Sequence, residues 1–160
     1  MLTPIAEQGI HELAFGKDVE IAAPVEIVFE TLLEQLGPHH EGAPDAPLPM
    51  KLEPWPGGRW YRDLGNGAGH FWGYVQVIKP PTLLEISGPL FMSYPAISHL
   101  QYRLTAEGGV TRLKFMHKAI GLIPPDHREA FATGKEPLSH TLMKVRELAE
   151  RRRSSASGRR

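Results

Sequence analysis

The sequence predicts an α+β domain in which a curved antiparallel sheet wraps around a long C-terminal helix, and three observations predict it. Leu138, Leu142, Val145, Leu148 and Ala149 recur at helical spacing over residues 138–152, forming one apolar stripe that must be covered. Upstream, several segments between residues 11 and 119 alternate apolar and polar side chains with period two, the pattern of an antiparallel sheet with one buried face. Only one other long helical pattern occurs, over residues 24–36. A single apolar helical stripe and the concave face of a sheet are natural partners.

Taken in order, residues 11–21 read as a strand, with Val19 and Ile21 on one face and Asp18 and Glu20 on the other. A helix follows. Pro24 suits its first turn, Val25, Val28, Phe29, Leu32, Leu33 and Leu36 make its buried stripe, and Gly37 stops it. Glu26, Glu30 and Glu34 line its outer side as a solvated face. Residues 38–49, PHHEGAPDAPLP, read as a loop or a loop with one helical turn. A second strand begins at residues 50–53. Residues 59–64 and 70–78 pair as a hairpin about the glycine-rich turn GNGAG, and 83–88 is a fifth strand. Residues 98–105 and 111–119 form a further hairpin, in which Leu113, Phe115 and His117 share the inward face. A short helix is expected at 126–133 before Pro137 opens the long one.

The chain reads as a single domain over residues 1–152, with 153–160 a flexible basic tail. Residues 1–50 hold nine acids and one lysine, whereas 51–160 hold nine acids and seventeen basic residues, five of them arginines in the last ten positions. No aromatic residue separates those arginines, so the tail offers no platform for stacked bases and no nucleic-acid partner is expected. No cysteine is present, which excludes disulfides, thiolate metal sites and a cysteine nucleophile. The N-terminal residues lack the basic and apolar regions of a leader, and no run approaches the ~20 apolar residues of a membrane span. The expectation is a cytoplasmic protein without a membrane span.

The order of elements resembles the helix-grip fold of the START-like, or SRPBCC, superfamily, which includes the birch-pollen allergen type. Four stretches carry the resemblance: IAAPVEIVFETL at 21–32, GGRW at 57–60, FWGYVQVIKPPTLLEIS at 71–87 and LTAEGGVTRLKFMHKA at 104–119. They are most similar to the branch of heat-shock protein ATPase activator homologues. The chain departs from that branch in lacking a tryptophan ahead of the C-terminal helix and another after the first helix. The resemblance implies a cavity between sheet and C-terminal helix, which different members use for lipids, sterols, aromatic polyketides or plant hormones. It also implies two alternatives: an enzyme like the cyclases and dehydratases of the superfamily, or a co-chaperone with a protein partner.

Phe29, Leu33, Trp60, Phe71, Tyr102, Phe115, Leu142 and Val145 are the candidate lining for a small, largely apolar molecule, although the same residue types fill ordinary cores. His117 points inward by strand parity, where an imidazole orients a polar group or moves a proton, with Tyr102 as its candidate catalytic companion. Arg59, Tyr61, Arg62, Tyr74, Tyr94 and His99 are further polar candidates; parity separates Trp60 and Arg62 from Arg59 and Tyr61, so one pair alone faces inside. His39, His40, Glu41 and Asp45 crowd one loop without the spacing of a metal motif, and a solvated loop with no metal is expected. No cofactor is called for. GNGAG lacks the lysine and hydroxyl of a phosphate loop, and no Gly-x-Ser-x-Gly elbow occurs.

Overall fold

The computed structural model describes residues 1–5 and 9–157. Its elements run β1 (His11–Ile21), α1 (Val25–Leu36), β2 (Glu41–Ala43), β3 (Ala46–Pro47), β4 (Lys51–Leu52), β5 (Arg59–Gly65), β6 (Ala68–Lys79), β7 (Leu83–Gly88), β8 (Ala96–Glu107), β9 (Val110–Gly121), α2 (Pro125–Ala132) and α3 (Pro137–Ser157). Seven strands form one antiparallel sheet in the order β1-β9-β8-β7-β6-β5-β4, and β2 and β3 make a separate small hairpin. The sheet, the two flanking helices and the long α3 together form the helix-grip architecture expected from the sequence.

Period-two alternation places one face of the sheet inside. Val19, Leu113 and Leu104 lie across from one another on β1, β9 and β8, as do Phe115 and Tyr102 on β9 and β8, and these five are buried. The exposed partners of that alternation are Arg112, Lys114 and Lys118. Leu138, Leu142, Val145 and Ala149 of α3 are fully buried, and α3 packs chiefly along α1 and also against β1 and β2. Two i,i+4 ion pairs line the outer side of α3, Arg146 with Glu150 and Arg151 with Glu147.

Four details differ from the sequence reading. The 38–49 connection contains the β2–β3 hairpin in place of a helical turn, because Leu48 N–H donates to His40 O (2.8 Å) and Met50 N–H to Gly37 O (3.0 Å), which folds the segment back on itself. His40 is buried, not solvated: its ring stands edge-on to Trp60 and Trp72, with centroids 6.2 and 5.5 Å away, and its Nδ1 pairs with Gln35 O at 2.9 Å. Helix α3 continues through residues 153–157, where a flexible tail is expected; residues 158–160 lie outside the described residues. Arg152 reaches Glu34 and the Thr31 hydroxyl, and Arg153 donates to Ala22 O at 3.1 Å, so these arginines fasten α3 to α1 and its leading turn. Glu34 therefore leaves the acidic stripe, while Glu26 and Glu30 stay exposed.

The fourth difference is Phe71, which faces outward. Trp60 pairs with Gly73 and Tyr61 with Phe71, so β6 carries one extra residue, Trp72, at a bulge. The extra residue reverses the alternation: Trp72 turns inside, while Phe71 and Tyr74 meet on the outer face with ring centroids 4.7 Å apart. Trp60 is the inward residue of β5, and Arg59 lies outside over the Tyr61 ring.

Burial lowers the His40 pKa from its ordinary 6.5, against the opposing hydrogen bond to Gln35. The unfolded chain then takes up a proton as the pH falls through about 6.5 before the folded chain does, so stability is full above that pH and is lost on acidification. His40→Phe should cost about 1 kcal/mol at neutral pH through the lost hydrogen bond, yet should lose less stability than wild type between about pH 7 and pH 5. Urea unfolding at the two pH values reads this, and equal acid losses in both proteins would exclude His40 as the responsible group.

A buried polar cluster as candidate functional site

The apolar interior between sheet and helices holds one concentrated polar patch. Its sheet side comes from strand parity: Ser98 on β8 lies on the same face as Leu100 and Tyr102, and His117 on β9 shares a face with Leu113 and Phe115. Its other side comes from the α2–α3 junction and the first turns of α3, where Glu136, Ser139 and Thr141 turn inward. Thr141 stands at helical spacing from Leu138 and Val145, so it shares their buried stripe.

His117 Nε2 shares a hydrogen bond with Ser98 Oγ at 2.9 Å, which leaves Nδ1 facing Glu136 Oε2 at 3.9 Å. That separation is too long for a hydrogen bond, and the two groups form an ion pair whenever the imidazole is protonated. The His117 ring is edge-on to Phe131 of α2, centroids 4.9 Å apart, and the Tyr102 ring leans on Phe115 at the same distance. Glu136 is only 3% exposed and its Oε1 accepts from Ser139 Oγ at 3.1 Å. Burial, and secondarily the charge of Glu136, push the Tyr102 phenol far above its ordinary pKa, so it stays protonated and able to donate.

Four polar atoms of this patch are buried without a partner: Tyr102 Oη, His117 Nδ1, Glu136 Oε2 and Thr141 Oγ1. Each such group costs roughly 1–3 kcal/mol when left unmatched in a folded interior. Two of them belong to the facing His117 imidazole and Glu136 carboxylate, and together the four are donors and acceptors of the kind that match a polar group on a bound molecule. A cleft of about 210 Å³ lies between the β2–β3 hairpin, at Gly42, Ala43 and Pro44, and the α2–α3 junction, and Glu136 and Ser139 line it. The hairpin is held there by Glu41, whose carboxylate meets His140 Nε2 at 3.3 Å and Lys144 Nζ at 3.5 Å. The hydrogen bond from His140, followed by the charge of Lys144, keeps the Glu41 carboxyl below its ordinary pKa.

The candidate lining residues divide into three groups. Trp60, Tyr102, Phe115, His117, Leu142 and Val145 lie in the packed interior, at most 1% exposed. Phe29 and Leu33 border an outward apolar cleft of about 390 Å³ between α1 and the Pro80–Pro81 turn. Phe71 borders a cleft of about 470 Å³ on the outer side of the β5–β6 hairpin. His99 also lies away from the interior, bridging Ser87 (3.0 Å) and Glu85 (2.9 Å) across the outer face, and Tyr94 pairs with His127. The loop residues His39, His40, Glu41 and Asp45 do not converge, since His40 is sequestered by the tryptophans and Glu41 by α3. Among the described residues no group of three or more His, Asp or Glu side chains is placed to hold a metal, and no helix is long and apolar enough to cross a membrane.

Sequence reasoning missed Glu136, Ser98, Ser139 and Thr141. Parity with Leu100 and Tyr102 would have found Ser98, and the α3 stripe would have found Thr141. Glu136 sits in a linker with no periodicity, and nothing local marks it.

No family model matches the chain, and no curated protein matches it in sequence. Solved structures do match in fold. A protein of uncharacterised function from Rhizobium leguminosarum superposes with a TM-score of 0.69 at 18% identity, covering 91% of this chain and 99% of its own. Ara h 8.0201 superposes at 0.62 with 14% identity, covering 88% of this chain and 98% of its own. DynU16, from the dynemicin biosynthetic locus, superposes at 0.56 with 15% identity over 84% of this chain and 46% of its own. At these identities the likeness is one of fold.

Tyr102→Phe removes a buried hydroxyl that has no protein partner, so it should raise unfolding stability, by up to about 1–3 kcal/mol, whereas Ser139→Ala, which takes a donor from buried Glu136, should cost about 1–3 kcal/mol. Chemical denaturation of both variants checks the ranking. A loss of stability in Tyr102→Phe would show that the phenol is already matched in the free protein.

Proposed function

We propose that this protein, whose fold is the helix-grip fold of the START-like superfamily, binds a small, largely apolar molecule between its sheet and α3, with the His117–Glu136–Tyr102 cluster receiving the polar end. The observation that carries this reading is the set of four unpartnered buried polar atoms inside an apolar interior. A simple core gains nothing from such groups, because apolar side chains of the same shape would avoid their desolvation cost. Affinity would come mainly from buried apolar area around Trp60, Phe115, Leu142 and Val145, at about 25 cal/mol per Å². The polar end fixes orientation.

The interior is packed around these residues, so occupancy requires a movement, and the α2–α3 junction supplies the place for it. That junction is short, turns at Gly134 with a φ of 71°, and carries Glu136 directly. A second reading, a cofactor-independent cyclase or dehydratase, draws on the 3.9 Å approach of His117 Nδ1 to Glu136 Oε2, an acid–base pair that ligand contact would tighten. It uses the same bound molecule.

Fluorescence titration with N-phenyl-1-naphthylamine, a neutral apolar probe, tests binding. The expected result is saturable one-to-one enhancement, weakened about tenfold (roughly 1.4 kcal/mol) in Phe115→Leu and Leu142→Ala and unchanged in Ile97→Ser on the outer face. Absence of saturable binding, or two folded interior variants that titrate like wild type, would remove the proposal.

A further inference from the structure

We infer that Ser87, His99 and Glu85 form a nucleophile–base–carboxylate triad on the outer face of the sheet, which hydrolyses esters of small apolar acids held in the cleft beside it. This activity is separate from binding in the interior, because strand parity puts the three side chains on the opposite side of the sheet from buried Ile86, Leu100 and Tyr102.

Strand pairing sets the triad together. Ser87 of β7 lies across from His99 of β8, and Glu85, two residues before Ser87, shares its face. His99 Nδ1 is 3.0 Å from Ser87 Oγ, and Nε2 of the same ring is 2.9 Å from Glu85 Oε1. The carboxylate accepts from Nε2–H, which fixes the tautomer and leaves the Nδ1 lone pair facing the hydroxyl. Gln101 Nε2, at 3.4 Å, steadies the same Glu85 oxygen. A histidine that only joined two strands would need one of these contacts; with both, the imidazole is placed to activate the serine. The His99 and Glu85 side chains are 37% and 16% exposed, so substrate reaches the imidazole while the carboxylate behind it is shielded. Gln76 completes the group. Val75 pairs with Ile86 and Val77 with Glu85, so Gln76 is an extra residue at a bulge in β6, and its Oε1 stands 2.6 Å from Ser87 Oγ. Half a turn of that amide brings its Nε2 donor to the same place, beside the oxyanion that attack by Ser87 creates.

Attack passes the Ser87 proton to His99 Nδ1 as Oγ bonds to the ester carbonyl carbon and the carbonyl π pair moves onto its oxygen. Collapse breaks the bond to the alcohol, which leaves with the proton from Nδ1. Water then attacks the acyl-Ser87 ester, giving one proton to Nδ1 and its oxygen to the acyl carbon, and Ser87 Oγ departs with that proton; the products are an acid and an alcohol. The substrate class follows from the neighbouring cleft of about 570 Å³, which His99 borders. Ile97, Ile120 and Ala14 give it apolar walls, with Ile97 63% and Ile120 47% exposed. Glu12 and Lys118 add one charge of each sign, which leaves the cleft no preference for an ionic acyl group. Ile97 is two residues before His99 on the same face, so a short acyl chain lying over the isoleucines places its carbonyl at the triad.

The test is hydrolysis of p-nitrophenyl butyrate and p-nitrophenyl acetate, together with labelling by a fluorophosphonate, which reacts with activated serines. Wild type should hydrolyse the butyrate ester about a hundredfold or more faster than free imidazole at equal concentration, and mass spectrometry should place a single fluorophosphonate adduct on Ser87. Ser87→Ala and His99→Gln, each checked for folding by circular dichroism, should lose about a hundredfold in kcat/KM. Ile120→Ser should lower the preference for butyrate over acetate by about threefold, through lost apolar contact with the chain. Hydrolysis that survives in folded Ser87→Ala belongs to a lone imidazole and overturns the triad. A wild type without an adduct on Ser87, or no faster than imidazole, overturns it as well and needs no variant to fold. An unchanged preference in Ile120→Ser overturns the assignment of the acyl group to this cleft. Binding of N-phenyl-1-naphthylamine in the interior stands or falls separately from all of these.

Discussion

The indole of Trp60 joins three parts of the molecule. Its ring is fully buried on β5, and its N–H donates to Leu36 O at 2.7 Å, satisfying a carbonyl that the end of α1 would otherwise leave bare. Its face receives Trp72 at 4.9 Å and His40 at 6.2 Å, so the sheet, the first helix and the segment leading into the β2–β3 hairpin close on one aromatic cluster. That cluster depends on the bulge in β6, because without the extra residue Trp72 would point to solvent and Phe71 would point in. Gly73 and Gly88 make the crossing possible: a Cβ on Gly88 would stand 2.4 Å from Gly73 Cα, and one on Gly73 would stand 2.7 Å from Ser87 O.

With this end closed by aromatic packing, the polar groups gather beside the N-terminal end of α3. The division has a physical cause. Strand parity lines β8 and β9 with apolar residues over most of their length, and the alternation reaches Ser98 and His117 only where the strands run beneath the α2–α3 junction. There the first turns of α3 bring Ser139 and Thr141, and the linker brings Glu136. Apolar area and a set of buried polar groups therefore lie within the same interior, a combination that small-molecule sites usually have. The hairpin that Glu41 fastens to His140 and Lys144 lies over the junction and borders the cleft that Glu136 and Ser139 line.

The basic residues near the C-terminus take on a structural role. Arg152 and Arg153 bind Glu34, Thr31 and the Ala22 carbonyl, which draws α3 along α1 and extends the helix past the point where its apolar stripe ends. These are partly exposed contacts, each worth at most about 1 kcal/mol, and the apolar stripe from Leu138 to Ala149 remains the main attachment.

By itself the sequence determined what depends on local period and local punctuation. The order of strands and helices, the inward parity of Leu113, Phe115 and His117, the stripe of α3 and the helix between Pro24 and Gly37 were all legible, because each follows from side chains a few residues apart. Two members of the polar cluster, His117 and Tyr102, were legible for the same reason. The tertiary structure alone decided the outward turn of Phe71, the burial of His40 and the meeting of Glu136 with His117. A bulge is defined by what the partner strand offers, and a linker residue is buried only when distant elements close over it. Parity along one strand contains neither fact, since both depend on the paired strand and on the helices packed across it.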